Sequence, residues 1–535
     1  MSVTTQKPQT GTQPQFFILI TVFFFWGFVG ASNGIFIPFC KTHFNLNQFQ
    51  SQLVDTAFYG AYYIGSLLLY LFSVASGIDI LNRIGYKKGI ILGLVISIVG
   101  ALCMIPAVNS GSFGLILGAF FVVASGFSLQ QTSAQPFAIA LGGADSGSHR
   151  LNMAGGVNSF GTTIGPLAVS FLLFGNVQEG AGVSADIKSI NVLYLILAGV
   201  FALVAIIFAV SKMPKVTSDE KFEKTTKATN ALLVMTGLLA VVILLGVFTE
   251  ISSLALVSVT LLGVLAILFF SYSSATKDNA GWGAMKFPQL ILGMIAIFVY
   301  VGVEVTIQSN MGALLRLPEF GGLDESKISP FISLYWGSLM IGRWIGAISV
   351  FNLARMPKII ATIVVPLVAF GVILGVNMLR GTDVSDLYVY VVCIAVLIVT
   401  MFWGQEKPTK TLLAVSVMGA LAMLLGVLTT GKLSMFAFIS GGLCCSVMWP
   451  CIFSLSVAGL GKYTSQGSAF LVMMILGGAL IPPFQGGLAD TSVGIHWSYV
   501  VAVVCFAYLA WFAIRVKGVL KSQGIDYEVT ASGGH

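Results

Sequence analysis

Phe113-Gly-Leu-Ile-Leu-Gly-Ala-Phe-Phe-Val-Val-Ala-Ser-Gly-Phe-Ser128-Leu-Gln-Gln131-Thr-Ser-Ala-Gln135-Pro136-Phe137-Ala-Ile-Ala-Leu141 carries no charge from end to end. It exceeds the roughly 20 residues that a helix needs to cross a bilayer. Its second half nevertheless holds amides and hydroxyls. Ser128, Gln131 and Gln135 are spaced i, i+3, i+7, which puts them on one helix face. Lipid cannot hydrogen-bond such groups, so they must meet other helices or a water-filled cavity. A second polar word follows: Arg150-Leu-Asn-Met-Ala-Gly-Gly-Val-Asn158-Ser-Phe-Gly161. Asn158 and Thr162 share a face one turn apart, after a Gly-Gly pair that permits close packing. A cavity lined by amides suits a neutral, hydroxyl-rich solute better than an ion. Bonding between helices is the structural alternative for each of these groups.

The rest of the chain is built like this stretch. Of 535 residues, 57% are hydrophobic and 9% are charged, with a mean hydropathy of +0.95. A soluble domain carries roughly 25% charged residues, so the fold class is an all-α membrane protein. About sixteen apolar runs are long enough to span: 16–39, 52–76, 89–108, 113–141, 151–175, 192–210, 231–248, 254–272, 287–315, 332–351, 359–378, 387–403, 411–428, 433–457, 468–484 and 497–516. Basic residues concentrate in every second loop: Arg83, Lys87 and Lys88; Arg150; Lys212 to Lys227; Arg355 and Lys358; Lys407 and Lys410; Lys462; Arg515, Lys517 and Lys521. The opposite loops hold Glu250, Glu319, Asp324, Glu325, Asp383, Asp386 and Asp490. The positive-inside rule then predicts an even number of helices and two cytoplasmic termini, in an inner (plasma) membrane. The net charge of +7 thus reflects topology rather than a nucleic-acid partner. Residues 1–15 are polar and show no cleavable signal. The seven cysteines have no metal spacing and read as packing residues. The four histidines form no cluster, and no nucleotide-binding word, metal set or nucleophile constellation occurs, so an enzyme or ATP-driven pump is unsupported.

A weak repeat relates two parts of the chain. Pro136 through Gly161 runs proline, apolar turn, glycine pair, polar loop and glycine-rich helix start, and Pro450 through Gly478 does the same. Parallel halves around a central site are a transporter architecture. The expected division is 1–215 for a first six-helix half and 216–284 for a basic linker with an extra helix pair. A second half then covers 285–535, with another extra pair near 387–428.

These words together resemble the major facilitator superfamily, and within it the fucose–galactose–glucose/proton symporter family in its glucose/galactose branch. Asn33-Gly34-Ile-Phe-Ile-Pro38, Phe58-Tyr59-Gly-Ala-Tyr62-Tyr63 and Gly77-Ile-Asp79 through Lys88 match its first three helices. Gln131 to Phe137 and Arg150 to Gly161 match helices four and five. Tyr300-Val-Gly-Val-Glu304, Gly342-Arg343-Trp-Ile-Gly346 and Gly477 to Pro482 continue the match in order. The resemblance implies two six-helix halves, with about four helices added in pairs so that downstream topology survives. It implies a hexose transporter working by alternating access. Asn33, Tyr59, Gln131, Gln135, Asn158, Gln308 and Trp449 would bind sugar. Asp79, Arg83 and Arg343 would gate, with Asp79 and Arg83 in contact and Arg343 structural at a cytoplasmic helix end.

One departure bears on energy coupling. The family's two helix carboxylates are replaced here by Gly34 and Gln131. Asp55 and Glu304 are then the candidates for coupling to H⁺ or Na⁺. A carboxylate in a spanning helix costs about 2.5–3.5 kcal/mol on insertion scales, so its retention calls for a reason. Without coupling the chain would be a facilitated uniporter. A rival of another class is a receptor or scaffold that does not transport. The expected partners are a neutral sugar and the bilayer, with no nucleic acid and no cofactor beyond a co-transported ion, for a chain acting as a monomer.

Overall fold

The computed structural model describes residues 14–45, 48–143, 146–174, 189–217, 223, 225–323 and 325–526, without the side chains of 32–39, 41–42, 48–53, 55–56, 173–174, 247 and 325–326. The side chains of Asn33, Gly34 and Asp55 therefore lie outside the described residues.

Each apolar run of the sequence becomes a helix, because in lipid a helix is the one isolated segment that bonds all of its own backbone groups. The first six are α1 (Thr21–His43), α2 (Gln48–Ser76), α3 (Tyr86–Asn109), α4 (Phe113–Ala140), α5 (Gly147–Phe174) and α6 (Ser189–Val210). Then come α7 (Thr226–Phe248), α8 (Ser253–Lys277), α9 (Pro288–Ser309), α10 (Glu325–Ala347), α11 (Arg355–Leu379), α12 (Val391–Gly404) and α13 (Pro408–Leu428). The segmented spans Gly431–Val457 (α14) and Gly461–Ala489 (α15), with α16 (Val500–Ser522), complete the chain. Among the described residues, fourteen helices are long and apolar enough to cross a membrane. Among the described side chains the first run contributes the shorter apolar stretch Gln15–Ala31, and α5 is diluted by its amides and glycines.

Two equivalent helix pairs explain the repeat. Gly161 of α5 lets that helix lie backbone to backbone on α1: a Cβ there would sit 2.2 Å from the Phe24 carbonyl oxygen. Gly477 of α15 does the same on α9, where a Cβ would sit 1.8 Å from the Phe298 oxygen. Any larger residue would push either pair apart.

The halves are also alike in a second contact. In the first, α3 packs against α4 and α6. In the second, α13 packs against α14 and α16. We therefore propose that α13 is the counterpart of α3, and that the second surplus pair is α11 with α12, residues 355–404, not the expected 387–428. All three apolar runs fitted the same place by hydropathy, and only packing separates them. The exposed apolar faces of α7, α8, α11 and α12, with Ile243, Phe270, Val368 and Val399 more than half exposed, suit a lipid-facing position. By contrast α9 is buried along nearly its whole length.

Candidate functional site

At the end of the bundle that carries the basic loops, the two halves are tied together. Asp79 caps the short helix Ile80–Ile84 by accepting from the Asn82 N–H at 2.9 Å, and also accepts from the Ser465 hydroxyl at 2.5 Å across the halves. Asn82 donates to the Lys462 carbonyl at 2.9 Å, and Ser468 donates to the Thr132 carbonyl at 2.8 Å. Arg83, expected on Asp79, is exposed, and no ion pair joins the two among the described residues. Asp79 is instead turned towards the second half. Burial pushes its carboxyl above the usual range, and the bonds from Ser465 and Asn82 pull it back.

Away from this closed end a cavity of about 530 Å³ opens between the halves. It runs towards the loops that carry the acids, with Arg380 and Ser329 among its outer lining. A second space of about 200 Å³ lies beneath it and shares Tyr59, Gln131 and Asn158 with it. Gln308 lines the upper space, and Gln135, Glu304, Arg343 and Trp449 line the lower one. The structure thus gathers Tyr59, Gln131, Gln135, Asn158, Gln308, Trp449 and Glu304 around one opening. It does not bring Arg83 there.

The amides are held by scaffold bonds. Gln131 donates to the Tyr62 hydroxyl at 3.1 Å, and Asn158 donates to the Phe23 carbonyl at 2.9 Å. Two buried atoms of the lower space have no protein partner: the Gln135 side-chain oxygen and the Trp449 indole N–H. One is an acceptor and the other a donor. Leaving such groups unpaired costs about 1–3 kcal/mol each, and a hydroxyl can answer either one.

Arg343 lies near the basic-loop end of α10, which closes at Ala347, and lines the lower space. It donates to the Ser446 carbonyl at 3.1 Å and to the Ser159 hydroxyl of the other half at 2.7 Å. Its guanidinium lies 3.7 Å from the Glu304 carboxylate, with both side chains nearly buried. Gly155 and Gly156 make room: a Cβ on Gly155 would sit 3.1 Å from Arg343 Cδ, and one on Gly156 2.8 Å from the Trp344 ring. The Gly-Gly pair of the sequence therefore serves contact between halves. Sequence reasoning missed Ser159, whose signal was its place inside the Asn158-Ser-Phe-Gly161 word. It also missed Ser329, Ser333 and Trp336, which repeat at i, i+4, i+7 along the cavity-facing side of α10.

Three comparisons place this geometry. The glucose/galactose transporter of Brucella abortus biovar 1 (strain 9-941) is 30% identical over 520 residues, covering 96% of this chain and 98% of that protein. The L-fucose-proton symporter of Escherichia coli (strain K12) is 24% identical, covering 93% of this chain and 92% of that one. The crystal structure of the transporter FucP in its outward conformation superposes with a TM-score of 0.65 at 22% identity, covering 94% of this chain and 98% of that one. No family model matches the chain. The fold, the paired halves and the full-length similarity agree: this chain is a membrane transporter of the major facilitator superfamily and belongs to the family of the glucose/galactose transporters and L-fucose–proton symporters.

Proposed function

We propose that the chain carries a neutral hexose of the glucose, galactose or fucose type across a bacterial inner membrane by alternating access. The unpaired Gln135 oxygen and Trp449 N–H carry this reading. They face one space from opposite halves, which suits a ligand with many hydroxyls. Gln131, Asn158 and Gln308 would add contacts above them, and Tyr59 and Trp449 would stack on the apolar face of the ring. The names of the relatives support the substrate class. The basic loops at the closed end support a cytoplasmic position for it, with the cavity facing outward and both termini cytoplasmic. The cavity is built by one chain, which fits a monomer.

Glu304 would couple transport to a cation. Neutralising it by a proton would remove the charged partner of Arg343 in the second half, leaving the Ser446 carbonyl there and Ser159 in the first. A charge change would thereby act on a contact between the halves. Asn33 and Asp55 keep the roles that the sequence suggests for them. Uniport is the second reading, favoured by Gly34 and Gln131 standing where the family has carboxylates.

Uptake of radiolabelled glucose, galactose and fucose into proteoliposomes, under imposed H⁺ or Na⁺ gradients, tests the proposal. Accumulation of one hexose under one gradient is the expected result. Equilibration under every gradient would leave uniport, and absence of counterflow for any hexose would overturn the transport of these sugars.

A further inference from the structure

A second polar pocket lies apart from the central cavity, at the closed, basic end. It has a volume of about 350 Å³. The first turn of α5, the end of α10, the start of α11, the end of α12 and the start of α13 surround it. The pair α11 and α12 is therefore one of its walls. Nothing in the transport reading uses this space.

Three observations describe its chemistry. First, α11 and α13 both begin at the pocket without a side-chain cap, with the N–H groups of Lys358 and Thr411 bonded to the Ala354 and Lys407 carbonyls and no N–H on Pro408. The positive end of a helix dipole favours an anion. Second, the charged lining is Arg355, Lys358 and Glu406. Lys358 and Glu406 pair at 2.5 Å, which leaves the positive charge of Arg355 uncompensated within the lining. His149 also lines the space, with Nδ1 at 3.1 Å from the Gly346 carbonyl. Third, Asn152 lines the pocket, is 3% exposed, and its side-chain oxygen has no partner in the protein. That oxygen accepts hydrogen bonds only, so it asks for a donor on the ligand.

We propose that this pocket binds a phosphate ester that also carries a hydroxyl group, the chemistry shared by an anionic lipid headgroup such as phosphatidylglycerol and by a small soluble phosphate such as glycerol 3-phosphate. Arg355 and the positive dipole ends of α11 and α13 hold the phosphate, and Asn152 accepts from the hydroxyl. Beside the pocket, Met356 is 64%, Ile360 56% and Trp403 59% exposed. These apolar side chains border the basic end of the bundle, where basic pockets between helices meet lipid headgroups. On this reading the surplus pair α11 and α12 builds a binding site on the bundle.

The test uses the full-length protein, purified in detergent and stripped of lipid. Binding is measured for short-chain phosphatidylglycerol, for phosphatidylcholine of the same chain length, and for glycerol 3-phosphate. The expected result is binding of phosphatidylglycerol, glycerol 3-phosphate or both, with phosphatidylcholine at least tenfold weaker. Phosphatidylglycerol alone identifies a lipid site, and glycerol 3-phosphate at equal affinity identifies a soluble ligand. Arg355→Gln, at an exposed position that tolerates the change, should weaken binding at least tenfold. Asn152→Ala should weaken phosphatidylglycerol or glycerol 3-phosphate but not inorganic phosphate. Equal affinity for the two lipids with no binding of glycerol 3-phosphate would overturn the proposal. So would a less than twofold effect of Arg355→Gln on every phosphate ligand that binds. The readout is independent of sugar transport, so its failure leaves the hexose reading standing.

Discussion

The two halves bring different chemistry to one cavity. From the first half, α4 and α5 contribute Gln131, Gln135 and Asn158, all neutral amides. From the second, α9 and α10 contribute a carboxylate and a guanidinium, Glu304 and Arg343. An amide binds a hydroxyl in the same way at any ordinary pH. A carboxylate changes charge. In the proposed reading both halves recognise the solute, the second through Gln308 and Trp449, while the response to the ion belongs to the second half alone. The meeting point is Ser159, the residue of the first half that holds Arg343 of the second.

The hardest test of this division is to remove its central cation. Arg343→Met leaves the Glu304 carboxylate without its charged partner inside the bundle, and loss of one member of a buried pair costs about 3–5 kcal/mol. Thermal unfolding in detergent should show a large drop in stability. The double variant Glu304→Gln with Arg343→Met should recover much of it. A single variant as stable as the parent would mean that the pair contributes nothing.

Glu304→Gln alone sharpens the comparison. It keeps the shape of the side chain and removes the titration. Gradient-driven accumulation should disappear while sugar exchange across the membrane persists. A Glu304→Gln protein that still concentrates sugar would take coupling away from the second half.

Gln131→Ala probes the other side. It should weaken sugar binding by about 1–3 kcal/mol, roughly five- to 150-fold, because the hydroxyl it served is left unpaired. Equilibrium binding measures this directly. Unchanged affinity with lost accumulation would move coupling into the first half.

The smallest effect is expected at the closed end. Ser465→Ala removes one bond between the halves, worth about 0.5–1.5 kcal/mol. Labelling of a cysteine introduced at the basic end should become faster as the closed arrangement loses population. Acidity acts on the same contact. The Asp79 carboxyl is raised by burial when the halves are closed, so closure binds a proton more tightly than opening does. Its contribution to closure is therefore full below the ordinary carboxylate range and is lost as pH rises through the raised value. Labelling that slows with rising pH would contradict this.

Much of the candidate site was legible one word at a time. Gln131, Gln135 and Asn158 stand out because amides are costly in lipid, and helical spacing already put Ser128, Gln131 and Gln135 on a common face. Arg343 shows where such reading stops. Its neighbours in sequence suggest a helix end where acids or carbonyls can pair with it, but not that these partners come from α5, α9 and α14. The Asp79–Arg83 contact was suggested by the resemblance of Gly77 to Lys88 to the family's loop between helices two and three. Asp79 instead meets a residue 386 positions away, and no local pattern encodes such a pairing. The side chains of Asn33 and Asp55 lie outside the described residues, so their roles still rest on sequence alone.

The sequence by itself determined the solvent, the class and the helices. A bilayer leaves an apolar run no structure but a helix, and charge in alternate loops orders the runs. It also determined which polar groups needed partners. Only the tertiary structure decided who the partners are: that Arg343 joins the halves, that Gln135 and Trp449 face one space, and that α13 packs as α3 does while α12 packs on α13 and α11 on α10. Hydropathy is a property of single segments, and apolar helices are alike in it. Which helix lies against which depends on glycine contacts, buried bonds and side-chain fit between segments far apart in the chain, and these exist only once the bundle has formed.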